Sequence, residues 1–159
     1  MGLCGWKTLK KQKKDSEDRE VQCMEKNKHR AAANFLEKRY NCCQSVVCTY
    51  CEKYGVSEGD VFRMTEGFGL GMGGLMDTCG AVTGMFLAIG LSNSAGDMSA
   101  PLVTKMDTYE KVRRAAELFK EKRGSVYCRD LLTEKGPQPL ACCAKCVEAA
   151  TEVLDEMGI

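Results

Sequence analysis

The chain of 159 residues contains one histidine and three prolines, and its 23 Lys and Arg residues nearly balance 22 Asp and Glu residues. His29 lies in a polar segment, so catalysis that depends on a histidine base has little support. The balanced charge provides no global field that would attract nucleic acid or an anionic membrane. No apolar run approaches the roughly 18 residues of a spanning helix. We therefore expect no nucleic-acid partner and no membrane span.

Runs that alternate apolar and polar residues, which are typical of strands, are also missing from the sequence. Apolar residues instead recur at helical spacing along most of the chain. The length suits one domain that can bury a core without disulfide staples. We predict an all-α fold, a compact helical bundle with a central buried helix that follows a glycine-rich loop.

The first 27 residues differ in composition from the remainder. Residues 7–14 are strongly basic, the following stretch is mixed and polar, and little in either could bury an apolar face. The N-terminus has a charged stretch but no apolar segment after it, so a secretory signal is not expected and a cytoplasmic location is. We predict a polar, basic extension over residues 1–27 and a single cysteine-rich helical domain over residues 28–159.

Capping signals predict where the helices begin. Asn41 is a favourable N-cap, and Gln44 three residues later can reach back to complete a capping box. The same kind of argument gives four more predicted starts: caps at Ser57, Asp107 and Ser125, and a first helical position at Pro139.

A loop dense in glycine, residues 67–74, precedes an apolar segment, residues 79–91, for which Asp77 or Thr78 is the predicted cap. Because this segment is apolar on every side, we expect a helix buried in the middle of the domain. Three small residues share one face of it and would let another helix approach closely: Ala81, Gly84 and Ala88. The glycines do not indicate a nucleotide site, since no strand precedes them and no Gly-Lys-Ser/Thr closes the loop.

The most informative residues are eleven cysteines. In a reducing cytoplasm, cysteine-rich patterns more often indicate metal or redox chemistry than structural bridges, and an odd number cannot all pair within one chain. Four of them are predicted near the first turn of a helix: Cys42, Cys79, Cys128 and Cys143. The helix dipole and free backbone N–H groups favour a thiolate at such positions. Ionised cysteines either exchange disulfides or bind metal.

Cys79 has the strongest local argument of the four. It follows the glycine-rich loop and opens the buried helix, so its sulfur should lie near several free N–H groups. The alternative is that it packs as a small buried hydrophobic residue. In the last helix, Cys143 is favoured over Cys142 and Cys146 because it lies on the predicted core-facing stripe.

Two pairs of cysteines have CxxC spacing, Cys48 with Cys51 and Cys143 with Cys146. The spacing suits zinc, but both pairs lie inside predicted helices and lack the short loops of zinc knuckles. A thioredoxin-like site is not supported either, because no βαβ pattern surrounds them. We predict that Cys48 is a surface position and Cys51 a core position of their helix.

The arrangement Asn41-Cys42, Cys79-Gly80-Ala81-Val82-Thr83-Gly84, Cys128-Arg129 and Cys143 resembles the C_GCAxxG_C_C family of redox-active proteins, from about residue 28 to the end. The CGAxxG segment with its preceding glycines is the specific part, and the outer cysteines align by spacing. The resemblance implies a redox role without an established substrate. Five further cysteines fall outside the four-cysteine pattern: Cys43, Cys48, Cys51, Cys142 and Cys146.

Three hypotheses follow. The first is a small cytoplasmic redox protein, an oxidoreductase or electron carrier with a redox partner protein, in which Cys42, Cys79, Cys128 and Cys143 cycle between thiolate and disulfide. The second is a protein that binds zinc or an iron–sulfur cluster through the same four thiolates. The third is a helical interaction module whose cysteines only pack. The sequence leaves open whether the sulfurs form one site or two pairs, and it does not define the oligomeric state.

Overall fold

The structure is a computed structural model that describes residue 22, residues 25–133 and residues 139–159. Its helical elements in chain order are α1 (residues 25–36), α2 (Cys42–Val47), α3 (Glu58–Met64), α4 (Gly69–Gly73), α5 (Gly80–Asn93), α6 (Lys105–Arg123), α7 (Cys128–Thr133) and α8 (Pro139–Glu156). Short 3-10 turns at Cys48–Tyr50 and Glu66–Phe68 extend α2 and precede α4. The all-α prediction is confirmed. Most of the predicted extension, residues 1–27, lies outside the described residues.

Helix α5 forms the centre of the bundle and packs against α2, α6 and α8. Its side chains Val82, Met85 and Ile89 are fully buried. This confirms the prediction of a central buried helix after the glycine-rich loop. The N-terminal ends of α2 and α7 lie near the N-terminal end of α5.

The two longest elements, α6 and α8, close the other side of α5. Phe119 of α6 and Val147 and Leu154 of α8 are buried in the shared core. Lys122 pairs with Glu156 at 2.6 Å on the surface between the two helices. In the part of the chain that the structure describes, no helix combines the length and the apolar character that crossing a membrane requires.

Several predicted helix starts are confirmed. The Asn41 side chain accepts the backbone N–H of Gln44, and the Gln44 side chain accepts the N–H of Asn41, both at 2.9 Å. Ser57 accepts the N–H of Asp60 at the start of α3, and α8 begins at Pro139. The Asn41 box fixes the first residue of α2, which is Cys42.

Other predicted caps are wrong by one to three residues. Cys79 is the N-cap of α5, because Asp77 and Thr78 are held in an extended pairing with residues 126–129. Helix α6 begins at Lys105, and Asp107 lies in its first turn, where it pairs with Lys111 at 2.9 Å.

The start of α7 also differs from the prediction. The helix begins at Cys128, three residues after Ser125. Ser125 accepts the N–H of Tyr127 at 3.1 Å and donates to Asp130, so it shapes the turn before the helix. The pairing of Tyr127 with Thr78 delays the helix until the next residue.

Element α4, in the predicted glycine-rich loop, is a left-handed turn. Leu70 and Met72 have φ of 50° and 65°, with Gly71 at 61° between them. The left-handed conformation costs a non-glycine residue about 1–2 kcal/mol. The turn is held by its neighbours: a Cβ at Gly71 would lie 2.5 Å from the Cβ of Cys128. Strained backbone of this kind concentrates at functional sites, and this turn lies against one of the candidate cysteines.

Candidate functional site

The thiol cluster, as we name it, lies where the N-terminal ends of α2, α5 and α7 approach the first turns of α8. It contains the four predicted site residues and two more cysteines of α8: Cys42, Cys79, Cys128, Cys142, Cys143 and Cys146. Two pairs of sulfurs within it are joined by hydrogen bonds, and the remaining two cysteines flank those pairs.

The first pair joins Cys42 at the start of α2 to Cys143 in α8. The hydrogen-bonding interaction between the Cys42 and Cys143 side chains lowers the pKa of Cys143 to about 7. The same bond, with burial, raises the pKa of Cys42, and the backbone N–H of Leu70 in the left-handed turn also contacts the Cys42 sulfur. Cys143 is therefore the more acidic thiol of this pair and is partly ionised at neutral pH, and Cys42 is the less acidic one.

The second pair joins Cys79 to Cys146, one turn further along α8. The hydrogen-bonding interaction with the Cys146 side chain lowers the pKa of Cys79. The N–H groups of Ala81 and Val82 lower it further, because they are free donors in the first turn of α5. Cys79 is the N-cap residue of the buried helix, and its sulfur lies near these N–H groups without forming a side-chain capping hydrogen bond.

Cys128 is positioned by the pairing of residues 76–79 with residues 126–129. Thr78 lies opposite Tyr127 in an antiparallel bridge, flanked by a 2.8 Å bond from Cys79 N to Val126 O and a 2.6 Å bond from Cys128 N to Asp77 O. Cys79 and Cys128 are then diagonal neighbours on one face, about 7–8 Å apart. Burial raises the pKa of Cys128, and the charges of Cys143 and Cys146 raise it further.

Arg123, the last residue of α6, is the cation of the cluster. Its Nη2 lies 3.7 Å from the Cys142 sulfur, and it also bonds to Cys146. The Cys142 thiol itself donates to the carbonyl oxygen of Leu131 at 2.9 Å. Burial raises the pKa of Cys142, whereas the Arg123 charge opposes that rise.

Access to the cluster is uneven. Cys143 and Cys142 are partly exposed, whereas Cys42, Cys79 and Cys146 are buried. The predicted core-facing stripe of α8 is thus rotated from its true position, because Cys146 is the more deeply buried of the CxxC pair. A reagent that reaches the cluster from solvent meets Cys143 before its partner Cys42.

Three other cysteines form a separate group behind α2, in a small secondary core with Val47 and Val61: Cys43, Cys48 and Cys51. The prediction that Cys48 lies on the surface is wrong, since Cys48 is fully buried. The reason is that α2 tightens into a 3-10 turn at Cys48–Tyr50, which rotates Cys48 away from solvent.

The described residues do not present a metal centre. All nine cysteines of the described residues are free thiols, and within those residues no group of three or more His, Cys, Asp or Glu side chains is arranged to hold a metal ion. The sulfurs approach one another in pairs, whereas zinc or a cluster would require convergence on a common centre. Two further cysteines, Cys4 and Cys23, lie outside the described residues.

The structure brings the four predicted residues together, but it adds Cys146 and Arg123, which the sequence argument missed. The sequence could have predicted Cys146 as a site residue, since it stands three residues after Cys143 and therefore projects to the same side of the helix. Arg123 had none, because its position depends on how α6 crosses α8.

The fold and site define a small helical protein with an internal cluster of thiols, several of which lie at the N-terminal ends of helices. The family model described as "Putative redox-active protein (C_GCAxxG_C_C)" matches residues 40–157, and the chain belongs to that family. The match spans α2 to α8 and includes every cysteine of the thiol cluster. Comparison with curated proteins and with solved structures gave no significant match.

Proposed function

We propose that the protein carries out thiol–disulfide exchange at the thiol cluster, with Cys143 as the attacking sulfur and Cys42 as the resolving sulfur. The observation that carries this proposal is the contact between the two side chains, which sets a partly exposed Cys143 with a lowered pKa beside a buried Cys42 with a raised pKa. An attacking thiol is most effective when its pKa is close to the ambient pH, and that of Cys143 is about 7.

The exchange has two steps. The Cys143 thiolate attacks one sulfur of a disulfide substrate, the substrate S–S bond breaks, and the first substrate thiolate leaves. Cys42 then loses its proton to that thiolate or to solvent and attacks the Cys143 sulfur of the mixed disulfide, which releases the second substrate thiolate. The protein is left with a Cys42–Cys143 disulfide, and the substrate disulfide has been reduced to two thiols by two electrons from the protein.

Cys79 and Cys146 provide a second dithiol in the same cluster. Their sulfurs are in hydrogen-bond contact and deeply buried, so this pair meets solvent disulfides later than Cys143 does. Because Cys143 and Cys146 are one turn apart on α8, oxidation can pass between the pairs by exchange within the protein. Cys128 flanks both pairs and keeps its proton, so we assign it no exchange step.

The proposal places the protein in a reducing compartment, the cytoplasm, where a thiol-containing partner protein returns the Cys42–Cys143 disulfide to the dithiol. Exchange sites of this kind need only an accessible attacking sulfur and a nearby resolving sulfur. The half-buried face around Cys142 and Cys143 is the surface at which such a partner would reach the cluster.

The experiment is a mixed-disulfide trap with glutathione disulfide, followed by mass spectrometry of the intact protein. Cys42→Ser removes the resolving sulfur and should accumulate a stable glutathione adduct at Cys143. Cys143→Ser should form no adduct at the cluster. Cys142→Ser is the matched control, since it removes a partly exposed thiol of the same helix and should behave as wild type. Equal adduct formation by Cys42→Ser and Cys143→Ser, or no accumulation in Cys42→Ser, would reject the mechanism.

A further inference from the structure

The second CxxC pair, Cys48 with Cys51, lies outside the thiol cluster. It belongs to the secondary core behind α2, with Val47, Val61 and Cys43. The Cys48 and Cys51 side chains interact directly, and the Cys51 thiol donates a hydrogen bond to the carbonyl oxygen of Val47 at 3.7 Å. These two sulfurs are therefore in contact with each other.

The type of helix explains this contact. A 3-10 turn has 3.0 residues per turn, so side chains at positions i and i+3 stand directly above one another. Cys48 opens such a turn and Cys51 follows its last residue, Tyr50. At a rise of about 2.0 Å per residue the two Cα atoms are about 6 Å apart, within the range that a disulfide spans.

The CxxC pair of α8 shows the contrast. In an α-helix, positions i and i+3 differ by about 60° around the axis. Cys143 and Cys146 accordingly bond to different partners, Cys42 and Cys79, on other helices. The same CxxC spacing thus places Cys48 and Cys51 against each other in the 3-10 turn. In α8 it directs Cys143 and Cys146 to different partners.

We propose that Cys48 and Cys51 form a second, independent thiol–disulfide couple, an oxidation site that the four-cysteine pattern of the family does not include. Its substrate class is a small disulfide such as glutathione disulfide. The Cys51 thiolate attacks one glutathione sulfur and releases the first glutathione thiolate. Cys48 gives its proton to that thiolate or to solvent, attacks the Cys51 sulfur and releases the second. Two electrons pass from the pair to glutathione disulfide.

Access to this pair comes through Cys51. The interaction between the two side chains lowers the pKa of Cys51 and raises that of Cys48, so Cys51 is the attacking sulfur. Cys51 is buried, but it ends its element and is followed at once by Glu52, whose side chain is 84% exposed. Opening of the last turn exposes Cys51 while Cys48 stays in the core, because element ends open at lower free energy than core positions.

The test equilibrates the full-length protein in glutathione buffers of graded potential, then quenches with acid and blocks the remaining thiols. Trypsin with chymotrypsin cleaves after Tyr50 and separates Cys48 from Cys51. A disulfide between them then joins two peptides, and reductant releases them. Cys42, Cys43 and Cys48 share the peptide 41–50, so tandem fragmentation of the linked peptides assigns each sulfur to its partner. The Cys42–Cys143 pair is read from the same sample, and the two proposals are thus scored separately. Cys143→Ser and Cys51→Ser are measured beside wild type.

We expect the Cys48–Cys51 link in wild type and in Cys143→Ser, with midpoint glutathione ratios that differ by less than about twofold, since independent sites act additively. Cys51→Ser should lose the link and leave Cys48 as a free thiol. Three results would each overturn the proposal: Cys48 and Cys51 remaining reduced in fully oxidised glutathione while the protein stays folded, Cys51 linked to Cys43, or loss of the link in Cys143→Ser.

Discussion

Gly84 lies directly beneath the carbonyl oxygen of Cys43, at a distance that leaves no room for a side chain. A Cβ at Gly84 would be 2.6 Å from that oxygen and 3.0 Å from the Cβ of Val46. The contact sets how closely α2 approaches α5. It therefore sets how far Cys42 extends towards Cys143.

Gly84→Ala should destabilise the protein by about 1–3 kcal/mol, because the added methyl group overpacks the contact between α2 and α5. Gly90 is the control: it lies in the same helix, and a Cβ there meets nothing within 4 Å. Gly90→Ala should stabilise the protein by about 1 kcal/mol through helix propensity. Urea unfolding followed by circular dichroism measures both. Equal effects of the two substitutions would show that the contact does not limit the packing.

Much of this architecture follows from local sequence. The capping box at Asn41 and the start of α8 at Pro139 depend on residues within a few positions, and they are confirmed. The close approach at Gly84 is a contact with another helix, but the small residues that permit it all lie on α5 itself, and it is confirmed as well. The missed features depend on distant segments. Cys79 became the cap of α5 because Thr78 pairs with Tyr127, which lies far along the chain. No local signal encodes that pairing.

The candidate site divides in the same way. Capping residues located the cysteines near helix starts, but the thiolate that the dipole argument predicted at Cys42 and Cys128 is wrong. The interaction with Cys143 raises the pKa of Cys42, and burial raises that of Cys128. The partner of each sulfur depends on helix rotation and crossing, as the burial of Cys146 and the position of Arg123 show. The left-handed conformation of Leu70 was likewise not predictable, because two neighbouring glycines permit such a turn without specifying it.

Leu70→Gly should give a more stable protein than Leu75→Gly, by about 1–2 kcal/mol, because glycine relieves the left-handed strain at position 70. Both leucines are well exposed, at 52% and 76%, so little buried area separates the two variants. Leu75 lies in the same loop but does not have positive φ. Chemical denaturation of the pair gives the difference. If both variants lose the same stability, the turn is not strained.

Cys42→Ala should slow alkylation of Cys143 by about tenfold at pH 7, because loss of the interaction with the Cys42 thiol returns its pKa towards the ordinary value near 8.5. In wild type the rate should rise with pH and reach half its maximum near pH 7, the pKa of Cys143. In the variant the midpoint should move to higher pH. Both curves come from iodoacetamide labelling across roughly pH 5.5–9.5, a range that brackets the pKa of Cys143 in wild type and in the variant. Peptide fragmentation separates the label on Cys142 from that on Cys143. Identical midpoints would show that Cys42 does not activate Cys143.

Arg123→Gln should raise the pKa of Cys142, because the guanidinium charge opposes the rise that burial causes. The alkylation midpoint of Cys142 should therefore move to higher pH, and Arg123→Lys should move it less, since a cation remains. Lys122→Gln is the matched control: it removes the neighbouring cation, which pairs with Glu152 and Glu156 and not with the cluster. A shift of equal size in both glutamine variants would indicate a general charge effect.

The most direct measurement is a disulfide map of the folded protein after oxidation with glutathione disulfide. Cleavage at Lys145 separates Cys143 from Cys146, and fragmentation of the linked peptides distinguishes Cys143 from Cys142 and Cys42 from Cys43. The account predicts a link between Cys42 and Cys143, followed by a link between Cys79 and Cys146, the sulfurs already in contact. Reduction should restore all four thiols. A folded, oxidised protein in which Cys42 and Cys143 remain thiols, or in which Cys143 links to another cysteine instead, would contradict it.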